Sequence, residues 1–198
     1  MTFILGLTGG IATGKSTVSR YLAEKGYPIV DADLIARRVV EPETEGLAKI
    51  VAHFGQGIIK KDGSLDREKL GALVFSQPEK RLTLNAILSQ YIRRAIEEET
   101  AALVNEKHPL VVLDIPLLYE AGYESDCDAV MVVYTTVEEQ LKRLMTRNQL
   151  TEEEALNRIA SQKSIEDKKM RADSVIDNNG ARDQTYEQVE TWLKNNLK

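Results

Sequence analysis

The run "GLTGGIATGKST", Gly6 to Thr17, carries the clearest chemistry in this chain of 198 residues. Gly9, Gly14, Lys15 and Ser16 match the spacing G-x-x-x-x-G-K-[ST]. Glycines let a backbone curl until successive N–H groups face one anion, and a helix starting there adds partial positive charge. In that arrangement Lys15 reaches the β- and γ-phosphates of a nucleotide, and Ser16 offers its hydroxyl to Mg²⁺. Gly9, Gly10, Ile11, Ala12, Thr13, Gly14, Lys15, Ser16 and Thr17 are therefore the candidate nucleotide contacts. An apolar run precedes the loop and a helical pattern follows it, the context that this spacing needs.

Carboxylates come next. "VDAD" puts Asp31 and Asp33 at the carboxyl end of a second apolar run, the edge where open α/β sheets bind ligands. An acid there can take the proton of an attacking hydroxyl, or it can cap the helix that follows. Asp31 suits the cap and Asp33 the catalytic role. Arg37, one turn on, is either an acceptor-side contact or a solvated arginine. Asp114 ends "LVVLD" and reads equally as a contact to the Mg²⁺ shell or as an ordinary strand-end acid.

"EEQLKRLMTRNQLTEEEALNRIASQ" reads as two helices, the second started by a capping box of Thr151 and Glu154. Arg143 and Arg147 are four apart and share a helix face, and Arg158 follows on the next helix. Arginines closing over a γ-phosphate stabilise its charge, and a mobile hairpin excludes water. The same spacing also fits a solvated hairpin. His53 and His108 have no partner at metal-ligand spacing. Cys127 lacks a histidine to activate it, and Trp192 lies in an amphipathic helix as a packing residue.

These groups need a frame. Strands are predicted at Phe3–Leu7, Tyr27–Val30, Pro109–Pro116, Ala129–Thr136 and Ser174–Asp177, with helices between them. Continuous apolar runs suit a parallel sheet covered on both faces. Residues 41–107 read as a helical insertion, with a long periodic helix from Leu84 through Ile96. The alternation gives an α/β protein. A composition of 42% hydrophobic and 29% charged residues fits a globular chain, and a net charge of -5 argues against general nucleic-acid binding. One cysteine and a start without a basic leader fit a cytoplasmic protein that no membrane anchors.

Taken together, "LTGGIATGKST", "DADLIAR", "FG…GSLDREKL", "DIPLLYE", "QLKRLMTRN" and "VIDNNG" closely resemble the bacterial dephospho-CoA kinases, nearly end to end. The resemblance implies a P-loop NTPase-type three-layer α/β fold with a parallel five-stranded sheet, a helical insertion and a helical lid. It implies a nucleotide-binding core of residues 1–40 and 108–198, an acceptor-side insertion at 41–107 and lid helices within 138–165. The implied reaction is Mg²⁺-assisted transfer of the ATP γ-phosphate to the 3′-hydroxyl of dephospho-CoA, by a monomer acting on small molecules. Asp33, Lys15 and Arg143 would be catalytic, and Arg147 and Asn179 would join the nucleotide contacts. Arg37 and Leu117 would hold the acceptor with Asp33, and Ser16 and Asp114 would serve the metal. Where the family usually carries His-Pro, this chain has Ser89-Gln90.

Two other readings stay open from the residues: a nucleoside or nucleotide kinase of similar architecture, and a nucleotide-dependent regulatory module. A GTPase lacks support, because no N-K-x-D is present and "DNNG", Asp177 to Gly180, is better read as a turn.

Overall fold

Strand and helix alternate on either side of a largely helical stretch. The computed structural model describes residues 1–75 and 77–197; Ser76, within the expected insertion, and Lys198 lie outside it. In chain order the elements are β1 (Phe3–Gly9), α1 (Lys15–Glu24), β2 (Ile29–Asp31), α2 (Ala32–Arg38), α3 (Glu45–Phe54), α4 (Arg67–Phe75) and α5 (Pro78–Asn105). Then come β3 (Leu110–Asp114), β4 (Ala129–Tyr134), α6 (Val137–Asn148), α7 (Glu152–Ala160), α8 (Ile165–Arg171), β5 (Ser174–Asp177) and α9 (Arg182–Asn196).

Among the described residues the strands form one five-stranded sheet in the order β2-β3-β1-β4-β5. β1 is parallel to β3 and β4, and β4 is parallel to β5. Every residue of β3 is buried, as is all of β4 beyond Ala129. That is why both strands read as unbroken apolar runs, because helices cover a parallel sheet on each face. The register sets Leu7 of β1 opposite Asp114 of β3, so an acid stands beside the end of the central strand.

Helix ends follow local rules. α1 stops in a Schellman motif: Gly26 takes φ 88°, its N–H donates to Ala23 O (2.9 Å), and the Tyr27 N–H donates to Leu22 O (3.2 Å). Thr151 and Glu154 form the expected capping box on α7. α5 runs unbroken for 28 residues from Pro78, whose fixed φ and missing N–H suit a first helical position. Ser89 and Gln90 fold back onto the backbone, donating to Ala86 O (3.1 Å) and Ile87 O (3.4 Å).

The residues divide into two compact units, 1–30 with 102–198, and 31–101. The first is centred on Leu5, Leu7, Val18, Leu22, Met131 and Val133, closed by Trp192 of α9. Trp192 meets Phe3 edge to face at 5.7 Å. In the second unit, Val40, Leu47, Ile50, Ile58, Leu65 and Leu70 gather against Leu84, Ile87 and Leu88 of α5. An isolated antiparallel bridge, Ile59 with Leu65, tightens the Gly-rich connection.

β5 is an edge strand, and the outward backbone groups of its last residue are occupied. Gln188 of α9 accepts the Asp177 N–H (2.8 Å) and donates to the Asp177 C=O (2.9 Å). Just before β4 and beside Gly6 of the central strand, the Cys127 thiol donates to Tyr123 O (3.3 Å). Burial, and then the nearby acids Asp126 and Asp128, push that thiol up to about 12.

Two outcomes are expected. Trp192→Ala should cost about 3–5 kcal/mol of stability, read by denaturant unfolding, and a loss below about 1 kcal/mol would mean that Trp192 is not a core anchor. At pH 8 Cys127 is held almost wholly as the thiol. Iodoacetamide should therefore label the native chain far more slowly than the urea-unfolded chain. Equal rates would contradict the burial.

Candidate active site

The corner between β1 and α1 turns in two left-handed steps, at Ala12 (φ 62°) and Gly14 (φ 90°). Between them, the Thr13 N–H and hydroxyl both donate to Gly10 O, at 3.2 and 2.9 Å. Gly14 is where a side chain is least admissible, since a Cβ there would stand 2.1 Å from Asn178 Nδ2 in a backbone region that favours glycine. A Cβ on Gly9 would meet Thr13 Oγ1 at 2.6 Å and Val133 O at 2.8 Å. Both glycines are required by close approach, as the motif anticipates.

Lys15, the first residue of α1, pairs its Nζ with Asp114 Oδ1 at the end of β3. Asp114 is buried and Lys15 nearly so, which makes this a sheltered pair on the loop's margin. Ser16 is exposed beside it. Arg143 of α6 also reaches the loop. Its Nη2 donates to Asn178 O (2.8 Å), its Nε donates to Glu139 (2.8 Å), and its Nη1 lies 3.8 Å from where a Gly14 Cβ would stand. Arg147, one turn on, is exposed and donates to Asn148 Oδ1 (2.9 Å).

Asn179 belongs to a turn, as "DNNG" suggested. Its N–H and Nδ2 donate to Asp177 Oδ1 (2.9 and 2.8 Å). Its Oδ1 accepts the Thr135 hydroxyl (2.6 Å) and the Thr136 N–H (3.0 Å), tying the end of β5 to the start of α6. Leu117, after β3, is 45% exposed, a large apolar side chain facing solvent.

Asp33 and Arg37 are both exposed on α2, in the second unit. Asp31 is the N-cap of α2, its Oδ1 accepting the N–H groups of Asp33 (2.8 Å) and Leu34 (3.1 Å). With the cap supplied by Asp31, the Asp33 carboxylate is left without a bond among the described residues.

Several residues at the loop have no role in the glycine spacing, although Gln140 and Asn178 lie within "QLKRLMTRN" and "VIDNNG". Gln140 of α6 donates to Ile11 O (2.7 Å), and Gln162 accepts the Ile11 N–H (2.9 Å). Asn178 donates to Thr13 O (2.7 Å) and accepts the Thr185 hydroxyl (2.8 Å). Lys168 of α8 is fully buried, with its Nζ on Gly9 O (3.3 Å), Pro116 O (3.0 Å) and Glu120 (3.0 Å). A signal for two of them does exist: Gln140 precedes buried Leu144 by one turn, and Lys168 follows buried Ile165 by three residues. Each is a polar residue at a position where the helical period asks for an apolar one.

Known proteins bear on this arrangement. The family model described as dephospho-CoA kinase matches residues 3–184. A dephospho-CoA kinase of Enterococcus faecalis is 52% identical over 197 residues, covering 100% of this chain and 98% of the relative. One from Geobacillus kaustophilus is 50% identical over 98% of this chain and 96% of its own length. The solved structure of a dephospho-CoA kinase from Campylobacter jejuni superposes with a TM-score of 0.76 at 32% identity, covering the whole of both chains. With the phosphate-type loop, the parallel sheet and a match of this extent, the chain belongs to the dephospho-CoA kinase family.

Proposed function

We propose that this chain transfers the γ-phosphoryl group of ATP to the 3′-hydroxyl of dephospho-CoA, giving coenzyme A and ADP, the last step of coenzyme A synthesis. The observation that carries the reading is the end-to-end match to dephospho-CoA kinases in a chain whose β1–α1 corner has the shape of a phosphate loop. The chain acts on small molecules, as a monomer of the cytoplasm. No helix among the described residues is long and apolar enough to cross a membrane.

In this reading the triphosphate sits on the amides of Gly9 to Thr17, with the positive end of α1 behind it. Lys15 leaves Asp114 for the β- and γ-phosphates. The oxygen donors there, the Ser16 hydroxyl and the Asp114 carboxylate, suit Mg²⁺, which takes few protein ligands and fills its remaining positions with phosphate oxygens and water. When bound there, the ion would offset the negative charge of the phosphates. Asp33 accepts the proton of the 3′-hydroxyl while its oxygen bonds to the γ-phosphorus and the bond to the β,γ-bridging oxygen breaks. What supports the role is a carboxylate relieved of capping by Asp31. Arg37 and Leu117 hold the acceptor, Arg37 by charge and Leu117 by its exposed apolar side chain.

Arg143 stabilises the γ-phosphoryl charge as it develops. Arg147 reaches the nucleotide when the α6–α7 hairpin closes as a lid that excludes water. Asn179 lines the nucleotide side through the turn it forms with Asp177.

Two measurements test this. Turnover with ATP should be far faster for dephospho-CoA than for any nucleoside or nucleotide in a panel, and equal rates with a nucleotide would overturn the substrate. Asp33→Asn should lower kcat by about 10²- to 10⁴-fold with ATP affinity nearly unchanged. A collapse of ATP affinity with turnover of bound substrate preserved would make Asp33 a metal or structural residue instead.

A further inference from the structure

The carbonyls of Gly9, Ile11 and Thr13 alternate along the loop, and each is gripped by a different side chain. Lys168 holds the first (3.3 Å), Gln140 the second (2.7 Å) and Asn178 the third (2.7 Å). The three come from α8, from α6 and from the turn after β5. Among the described residues no peptide bond is cis. In a trans peptide the C=O of one residue and the N–H of the next lie in one plane and point in opposite directions. A carbonyl pinned on one side therefore aims the following amide at the other. The three grips set the N–H groups of Gly10, Ala12 and Gly14.

We infer that Lys168, Gln140 and Asn178 are positioning residues that preset the amide donors of the phosphate loop by gripping alternate carbonyls from behind. Among the described residues no protein group accepts the Ala12 or Gly14 N–H, so both donors stay available. Ala12 holds φ 62° without being glycine, a conformation that persists only when its surroundings enforce it. Gln140 supplies that enforcement on the Ile11–Ala12 peptide. It is 2% exposed, and its Oε1 is buried without a hydrogen-bond partner. Burying half of an amide unpaired is unfavourable, so the side chain is retained for the donor half. Gln162 adds a hold on the Ile11 N–H (2.9 Å), from the far end of the same hairpin that carries Gln140. Ile11 is thus clasped from both ends of the hairpin.

The role follows from the ATP-binding reading, since preset donors reduce what the loop must reorganise when a triphosphate arrives. It is tested by isothermal titration of ATP and of dephospho-CoA against the full chain and the variants Gln140→Leu, Asn178→Leu and Gln140→Glu, with thermal unfolding of each without ligand. Both neutral variants should raise the ATP Kd by about tenfold or more and leave the dephospho-CoA Kd within about twofold. Gln140→Glu should be worse than Gln140→Leu, because it sets an acceptor against the Ile11 carbonyl. Unchanged ATP binding in both leucine variants overturns the inference, as does weakening by the glutamate alone, which is a charge effect. So does a parallel loss for both ligands that tracks the fall in Tm, the mark of a merely structural role. Should Gln140→Leu not fold, Asn178→Leu decides the question alone. Failure of the unaltered chain to bind ATP would instead sink the kinase reading itself.

Discussion

A turn that must offer its amides to a ligand cannot use them to hold itself together. Helices and strands are stable because their N–H and C=O groups satisfy one another, and an unpaired polar group sheltered from water costs about 1–3 kcal/mol. Between Gly9 and Lys15 the chain gives up most of that self-pairing and keeps one tight turn, Thr13 onto Gly10. Stiffness has to be imported, and the surrounding topology is what imports it. β1 lies at the centre of the sheet, so the ends of β3 and β4 flank the turn. Asp114 comes from one side and the Thr135–Asn179 contact from the other. α6, α8 and the turn after β5 then add the three carbonyl grips.

The burial of Lys168 has the same cause. A lysine amine in the interior needs partners for all its donors, and here two carbonyls and a carboxylate supply them. Removal of one partner leaves a buried polar group unmet, whereas the complete set fixes the start of the loop to Pro116 and Glu120 after β3. The arrangement contributes shape more than stability, for the desolvation of the amine offsets much of what its bonds return.

Much of this was legible in the amino-acid order because the causes were local. The glycine spacing and the capping box at Thr151 each act over a few residues, and each is found where its chemistry requires. β2 differs from the expected Tyr27–Val30 and spans Ile29–Asp31, for a local reason. The Tyr27 N–H is spent closing the end of α1, so the chain first meets the sheet at Pro28, whose C=O accepts the Val112 N–H of β3 (3.0 Å). Gln140, Asn178 and Lys168 were not legible. Their partners lie 129, 165 and 159 residues away, and nothing within a helix turn reveals a contact made across that distance. What the sequence does display is a glutamine and a lysine where a leucine would be ordinary.

The far border of the sheet bears on how this protein behaves when concentrated. A bare outermost strand is a template on which another chain can register, and long rows of such pairings are how soluble proteins turn into insoluble ones. Here the Gln188 side chain imitates a neighbouring backbone, presenting one acceptor and one donor to Asp177. At the carboxyl end of β5 that pair of valences is filled from within the molecule.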